Sequence, residues 1–189
     1  HHHVPFYVNR NKLPAFTTNC IPDWEEKLEK IIDETLVKKM TLISGIPPWI
    51  EMYFERLIRR TGKNSISEIF PHFSLFVHGG VNYSLYAARI DRLIGRKIDT
   101  LETYPASEGF IAFQDEFPFT GLRLIPDSGI FYEFIPLEYY FDENPPRLWL
   151  EEVETGVEYA LIMNTNAGLW GYSLGDTVRF LSKDPYRLV

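Results

Sequence analysis

The sequence predicts an α/β fold in which a βαβ portion of a larger sheet is followed by an antiparallel β subdomain. Two observations carry this. Phe73–Val77 reads as a buried strand, about Ser84 to Leu93 as a helix stopped by Gly95, and Lys97–Tyr104 as a returning strand, so the two strands should be parallel with a right-handed crossover. After Gly109 the pattern changes to short apolar and aromatic runs separated by turns of Pro, Gly, Asp or Asn. Nothing after Leu93 reads as helix.

In chain order, His1-His2-His3 has the form of a tag remnant and is set aside. Val4 to Cys20, with Pro5 and Pro14, reads as loop with one short strand. Asp23 opens a helix: with Glu26 it forms a capping box, and Trp24, Leu28, Ile31, Ile32, Leu36 and Met40 share one face. Glu25, Glu26 and Glu29 belong to its solvated face. Thr41–Ile46 is a short strand ending in a turn. Pro47 and Pro48 start a second helix whose buried face holds Ile50, Tyr53, Phe54, Leu57 and Ile58. Thr61-Gly62-Lys63-Asn64 ends it, and Ser65 to Glu68 adds a helical turn. Beyond Gly109, the strand candidates are Ile111–Gln114, Leu122–Ile125, Ile130–Ile135, Arg147–Leu150, Val157–Met163 and Asp176–Leu181. The motif-bearing α/β part is therefore taken as residues 4–109 and the β-rich part as 110–189.

The 189 residues are 45% hydrophobic and 15% aromatic, which allows a real core. The net charge of -7 comes without a lysine/arginine cluster, so a nucleic-acid backbone is not the expected partner. No apolar run approaches the ~18 residues of a membrane span, and no secretory signal is visible. A membrane is therefore not an expected partner either. The single Cys20 excludes an intrachain disulfide. The default compartment is cytoplasmic, and the oligomeric state stays open.

Three stretches could carry chemistry. Tyr104-Pro105-Ala106-Ser107-Glu108-Gly109 packs a flat ring, a hydroxyl, a carboxylate and a glycine into a strand end. A base can stack on the ring and a phosphate can bond the hydroxyl. A carboxylate can hold Mg2+, a hard cation that prefers oxygen ligands. Gly79-Gly80 follows another strand. In open parallel sheets ligands sit at the carboxyl ends of strands, where both stretches lie. Asp176, after Gly171-Tyr172-Ser173-Leu174-Gly175, could receive two ribose hydroxyls, as acidic residues do in dinucleotide sites. The competing reading makes Glu108 and Asp176 turn residues of a non-catalytic β-rich binding module, with Asp176 just ahead of the strand Thr177–Leu181. His72 and His78 lack ligand partners at useful spacing and read as structural.

The motif series Gly45-Ile46-Pro47-Pro48-Trp49, Val77-His78-Gly79-Gly80, Tyr104–Gly109, Tyr132-Glu133-Phe134-Ile135-Pro136 and Ala167–Asp176 resembles, in order, the auxin-responsive promoter family of acyl-acid amido synthetases. These belong to the adenylate-forming superfamily, and the resemblance runs from about Leu42 to Leu181. Gly171 and Ser173 stand where plant members often carry arginines, so the version resembles a bacterial member. The resemblance implies part of the large N-terminal domain of an ATP-dependent enzyme. That enzyme adenylates a small carboxylic acid and joins it to an amine, typically an amino acid. It also implies roles: Tyr104 on adenine, Ser107 on the α-phosphate, and Glu108 on Mg2+. Gly79, Gly80 and Ala106 would line the nucleotide, and Asp176 would hold the ribose. The family's glycine-rich phosphate loop lies upstream of these motifs and its lid follows the strand after Asp176. The chain is therefore expected to be an internal fragment, inactive by itself. A thiol acceptor in place of the amine is the alternative within the superfamily.

Overall fold

A computed structural model describes residues 5–189; the tag remnant at residues 1–3 lies outside the described residues. The chain divides into two compact units, the first ending at Thr100 and the second comprising Leu101–Val189. The division falls earlier than the change of pattern after Gly109, because the strand leading into that stretch pairs forward with the next one.

In the first unit, α1 (Phe6–Asn11) and α2 (Phe16–Asn19) stand where loop and a strand were expected. The reason is tertiary. The Ala15 N–H donates to Glu34 at 2.8 Å and the Thr18 hydroxyl donates to the same carboxylate. Those bonds hold the Glu34 carboxyl below its ordinary range. α3 (Trp24–Leu36) begins as its capping residue dictates, with Asp23 accepting from the Glu26 N–H at 2.8 Å. It buries Leu28, Ile32 and Thr35 and stops before Met40. Trp24 lies at the edge of that face and packs against Trp49 at 5.2 Å between ring centroids.

β1 (Leu42–Ser44) leads into α4 (Pro47–Thr61), whose two leading prolines occupy the first turn, where no backbone donor is missed. Gly62, at φ 67°, closes it in the left-handed conformation that glycine adopts without strain. Arg56 on α4 bridges Glu25 and Glu29 on α3. α5 (Ile66–Ile69) follows. β2 (Leu75–Gly79) pairs in parallel with β1, Leu42 opposite Leu75. The expected crossover helix is split into a 3-10 turn at Tyr83–Leu85, nucleated by Asn82, and α6 (Ala87–Ile94). β3 (Asp99–Pro105) begins beside Ser74, whose carbonyl accepts from the Asp99 N–H at 3.2 Å, so the two strand starts lie side by side as a parallel crossover requires. Leu28, Ile32, Phe54, Leu57, Phe73, Phe76, Ile90 and Ile94 form the core of this unit.

The second unit contains most of β3, then β4 (Phe110–Phe113), β5 (Leu122–Leu124), β6 (Ile130–Pro136), β7 (Glu158–Thr165), β8 (Tyr172–Lys183) and β9 (Tyr186–Leu188). Their spatial order is β3-β4-β5-β9-β8-β7-β6, with antiparallel pairing throughout, as expected for this half. Arg147–Leu150 is not a strand. It makes one isolated bridge, Leu148 to Phe134, because Pro145 and Pro146 ahead of it offer no backbone donors. The one helical turn after α6 among the described residues is a 3-10 segment, Leu137–Tyr139. Phe134, Tyr159 and Phe180 meet edge to face at the centre of the core, with Ile111, Leu161, Met163 and Val178 around them. β9, missed in the sequence, is anchored by a buried cation: Arg187 pairs with Asp115 at 2.5 Å and Glu116 at 2.9 Å.

Candidate nucleotide site

β3 delivers Tyr104 and then turns. Ala106 and Gly109 bond each other's backbones, N–H to O at 2.8 and 3.2 Å, which closes a tight loop with Ser107 exposed and Glu108 half-buried. The glycine suits the packing. A Cβ at Gly109 would lie 2.5 Å from Ile130 Cδ1 and 3.2 Å from Met163 Cε, so a side chain there requires the tips of both to shift.

Tyr104 packs its ring against that core and donates its hydroxyl to Asp176 Oδ2 at 2.6 Å. Burial, and then the adjacent carboxylate, raise the phenol well above its ordinary range, so the proton stays on the tyrosine. With Oδ2 engaged, Oδ1 of the exposed Asp176 remains as an acceptor.

Asp176 does not precede a strand, as the turn reading had it; it lies inside β8. Ser173 pairs with Ile162 and Thr177 with Ala160, so Leu174, Gly175 and Asp176 together oppose the single residue Leu161. Such a bulge re-aims side chains, and Gly175, at φ 82°, supplies the backbone freedom it needs. The sequence signal was the isolated Gly175 in an otherwise β-forming run, which marks a bulge as readily as a turn.

Met163, on which Gly109 rests, is the register partner of Tyr172. Tyr172 therefore lies on the side of the loop, with the Glu108 carboxylate near enough to act on its phenol. The carboxylate pushes the phenol up. Sequence reasoning named Tyr172 only as part of a motif. Gly171 next to it takes φ 59°, and a Cβ there would meet the flexible end of Arg147, Nη1 at 3.0 Å. Arg147 thus fills the space from another part of the chain, bonded to Glu133 at 3.2 Å.

Gly79 and Gly80 belong to the first unit, at the carboxyl end of β2. Gly79 is buried; Gly80 takes φ 80°, with space around it. His78, just before them, is buried and stacked on Tyr83 with ring centroids 3.9 Å apart. Burial lowers its pKa to about 4, so it is a neutral packing residue at neutral pH, in line with its structural reading. Among the described residues no three His, Cys, Asp or Glu side chains converge on a point. A single half-buried carboxylate such as Glu108 is still compatible with Mg2+, which binds through one or two carboxylates plus phosphate oxygens and water. Among the described residues no helix is long and apolar enough to cross a membrane.

The fold is similar to parts of two solved enzymes. A GH3.15 acyl acid amido synthetase superposes on 94% of this chain and 40% of its own, with a TM-score of 0.68 at 12% identity. A 2-hydroxyisobutyryl-CoA ligase, in an open conformation with 2-HIB-AMP and CoA, superposes on 86% of this chain and 35% of its own, with a TM-score of 0.60 at 14% identity. Residues 123–185 match the GH3 family central domain, and a jasmonoyl–L-amino acid synthetase, JAR4 of Nicotiana attenuata, is 31% identical over 121 residues. The resemblance to acyl-acid amido synthetases read from the motifs is matched by these similarities. The chain spans 21% of the length of JAR4.

Proposed function

We propose that the chain is part of an ATP-dependent, AMP-forming acyl-acid amido synthetase and contributes one wall of its nucleotide site. The observation that carries the reading is the 2.6 Å bond from the Tyr104 hydroxyl to Asp176, which couples the residue proposed for the base to the residue proposed for the ribose. The Tyr104 ring offers a stacking face, an interaction worth about 1–3 kcal/mol per base in other proteins. Asp176 Oδ1 accepts from a ribose hydroxyl. The exposed Ser107 hydroxyl donates to the α-phosphate, and the backbone at Ala106 lets the nucleotide approach closely; Gly79 and Gly80, in the first unit, are read as nucleotide-binding on the motif resemblance alone.

In the reaction proposed, a carboxylate oxygen attacks the α-phosphorus and the bond to pyrophosphate breaks. An amine nitrogen then attacks the acyl carbon, the bond to AMP breaks, and the amine proton leaves to solvent. Glu108 would hold Mg2+, which neutralises charge on the departing pyrophosphate when bound. The substrates are ATP, a small carboxylic acid and an amino acid, and the compartment proposed is the cytoplasm.

The test is acid-dependent ATP–pyrophosphate exchange by the full-length parent, followed by product analysis with amines and thiols. Exchange, an amide product, and a loss of orders of magnitude in a folded Glu108→Gln variant are expected. Absence of exchange with a broad acid panel sinks the adenylation reading; a thioester product moves the parent to the CoA-ligase branch.

A further inference from the structure

We infer that Asn164 and Ser173 are positioning residues for Asp176: they clamp the start of β8 in the register from which that carboxylate meets Tyr104 and receives the ribose. The inference rests on the reading of Asp176 given above and adds two residues to it. The start of β8 needs such a clamp. Between the β7–β8 loop and the bulge only two residues pair with β7, Tyr172 with Met163 and Ser173 with Ile162. Glycines bracket them, Gly168 at φ 104°, Gly171 at φ 59° and Gly175 at φ 82°. Glycine-rich strands hold their register weakly, and a slip of one residue turns every side chain to the other face of the sheet. Such a slip would carry Asp176 away from the Tyr104 hydroxyl, to which it is bonded at 2.6 Å.

Both ends of the short paired stretch are held by side chains. At the loop end, Asn164 Oδ1 accepts from the Gly171 N–H at 2.7 Å, one step beyond the last backbone pair, Met163 with Tyr172. The amide has one workable orientation. Its Nδ2 donates to Glu133 Oε2 at 2.8 Å, and the flipped amide would set its carbonyl against that carboxylate. Glu133 is fixed in turn, because Arg147 Nη1 donates to the same oxygen at 3.2 Å. At the bulge end, Ser173 Oγ accepts from the Gly175 N–H at 3.3 Å, inside the bulge itself. The same hydroxyl lies 2.9 Å from that of Tyr140, whose ring packs on the small core of Ile135, Ala160 and Ile162. Glu133, Ile162 and Ser173 form one row across β6, β7 and β8. Asn164, two residues from Ile162, is on the same face, so the two clamps work side by side. Both act on the backbone that carries Asp176.

The test is calorimetric titration of the full-length parent with ATP and with 2′,3′-dideoxy-ATP, which lacks the hydroxyls proposed to bond Asp176. In the wild type the dideoxy nucleotide should bind about tenfold more weakly. Asn164→Ala and Ser173→Ala each remove one clamp, and circular dichroism verifies the fold. Each should weaken ATP about two- to tenfold, the span of one hydrogen bond, and leave 2′,3′-dideoxy-ATP at its wild-type affinity. Ser173→Thr keeps the hydroxyl and should bind ATP as the wild type does. In an Asp176→Ala background neither substitution should cost anything further, because both act only through the carboxylate. Equal weakening of the two nucleotides overturns the inference, since it marks a general structural defect. Wild-type ATP affinity in both folded variants also overturns it. If the wild type itself binds the two nucleotides alike, the reading of Asp176 fails and this inference fails with it.

Discussion

At the scale of single residues, the site is made of groups whose roles differ by environment. Asp176 is exposed, shares one oxygen with a tyrosine proton, and keeps the other available. A carboxylate bonding a ribose hydroxyl makes a charge-assisted bond worth about 1.5–3 kcal/mol. Asp176→Ala should therefore raise the nucleotide dissociation constant of the full-length protein at least about tenfold by calorimetry. Equal affinities would return Asp176 to a purely structural bulge. His78 shows the opposite situation, a base kept neutral by burial. Its pKa is about 4 in the folded chain against an ordinary 6.5, so between those values the unfolded state binds the extra proton. Stability contributed by burying neutral His78 is thus present above about pH 6.5 and is lost as pH falls toward 4. Melting temperatures of the parent should drop more steeply between pH 7 and 4.5 in the wild type than in His78→Phe. Parallel slopes would show that His78 does not titrate as described.

At the scale of elements, local signals and tertiary constraints part company in identifiable places. Asp23, the Pro47-Pro48 pair and Gly62 sit at helix ends for reasons internal to the helix, and all of them are legible in sequence. α2 is not: it is held from a distance by Glu34, and no local pattern announces that. The β8 bulge was half legible. Gly175 marked an irregularity, but a bulge and a turn require the same freedom, and only the register against β7 separates them. Gly109, unlike the bulge's Gly175, has no positive φ, and what a side chain there would meet is the packed tips of Ile130 and Met163. Inserting a methyl 2.5 Å from Ile130 Cδ1 overpacks the core. Gly109→Ala should destabilise the parent by about 1–3 kcal/mol in urea denaturation. It should also displace Glu108 and depress exchange. Wild-type stability and exchange would mean that the loop tolerates the shift.

At the scale of the whole molecule, the chain spans 21% of JAR4 and 40% of the GH3.15 synthetase on which it superposes. Positioning a transferring phosphorus needs donors on more than one side of it. Of the groups proposed for the nucleotide, two are carboxylates, Glu108 and Asp176, that repel ATP unless a cation intervenes. The 189-residue chain by itself should therefore form no acyl-adenylate. Incubated with ATP, Mg2+ and a panel of aryl and alkyl acids, it should release AMP and pyrophosphate no faster than buffer does. Turnover abolished by Glu108→Gln would refute that.

By itself the sequence determined the type and order of most elements and the family to which its motifs point, because caps, periodicity and turn residues act over a few neighbouring positions. The tertiary structure decided which side chains meet. Tyr104 and Asp176 are 72 positions apart, and their bond depends on strand order and on where β8 gains extra residues against β7. The same holds for Arg187, whose charge is buried against Asp115 from a strand that only its partners β5 and β8 make possible. Strand pairing is a contact between distant segments, and its register follows from how the core packs. A local pattern carries no information about that packing.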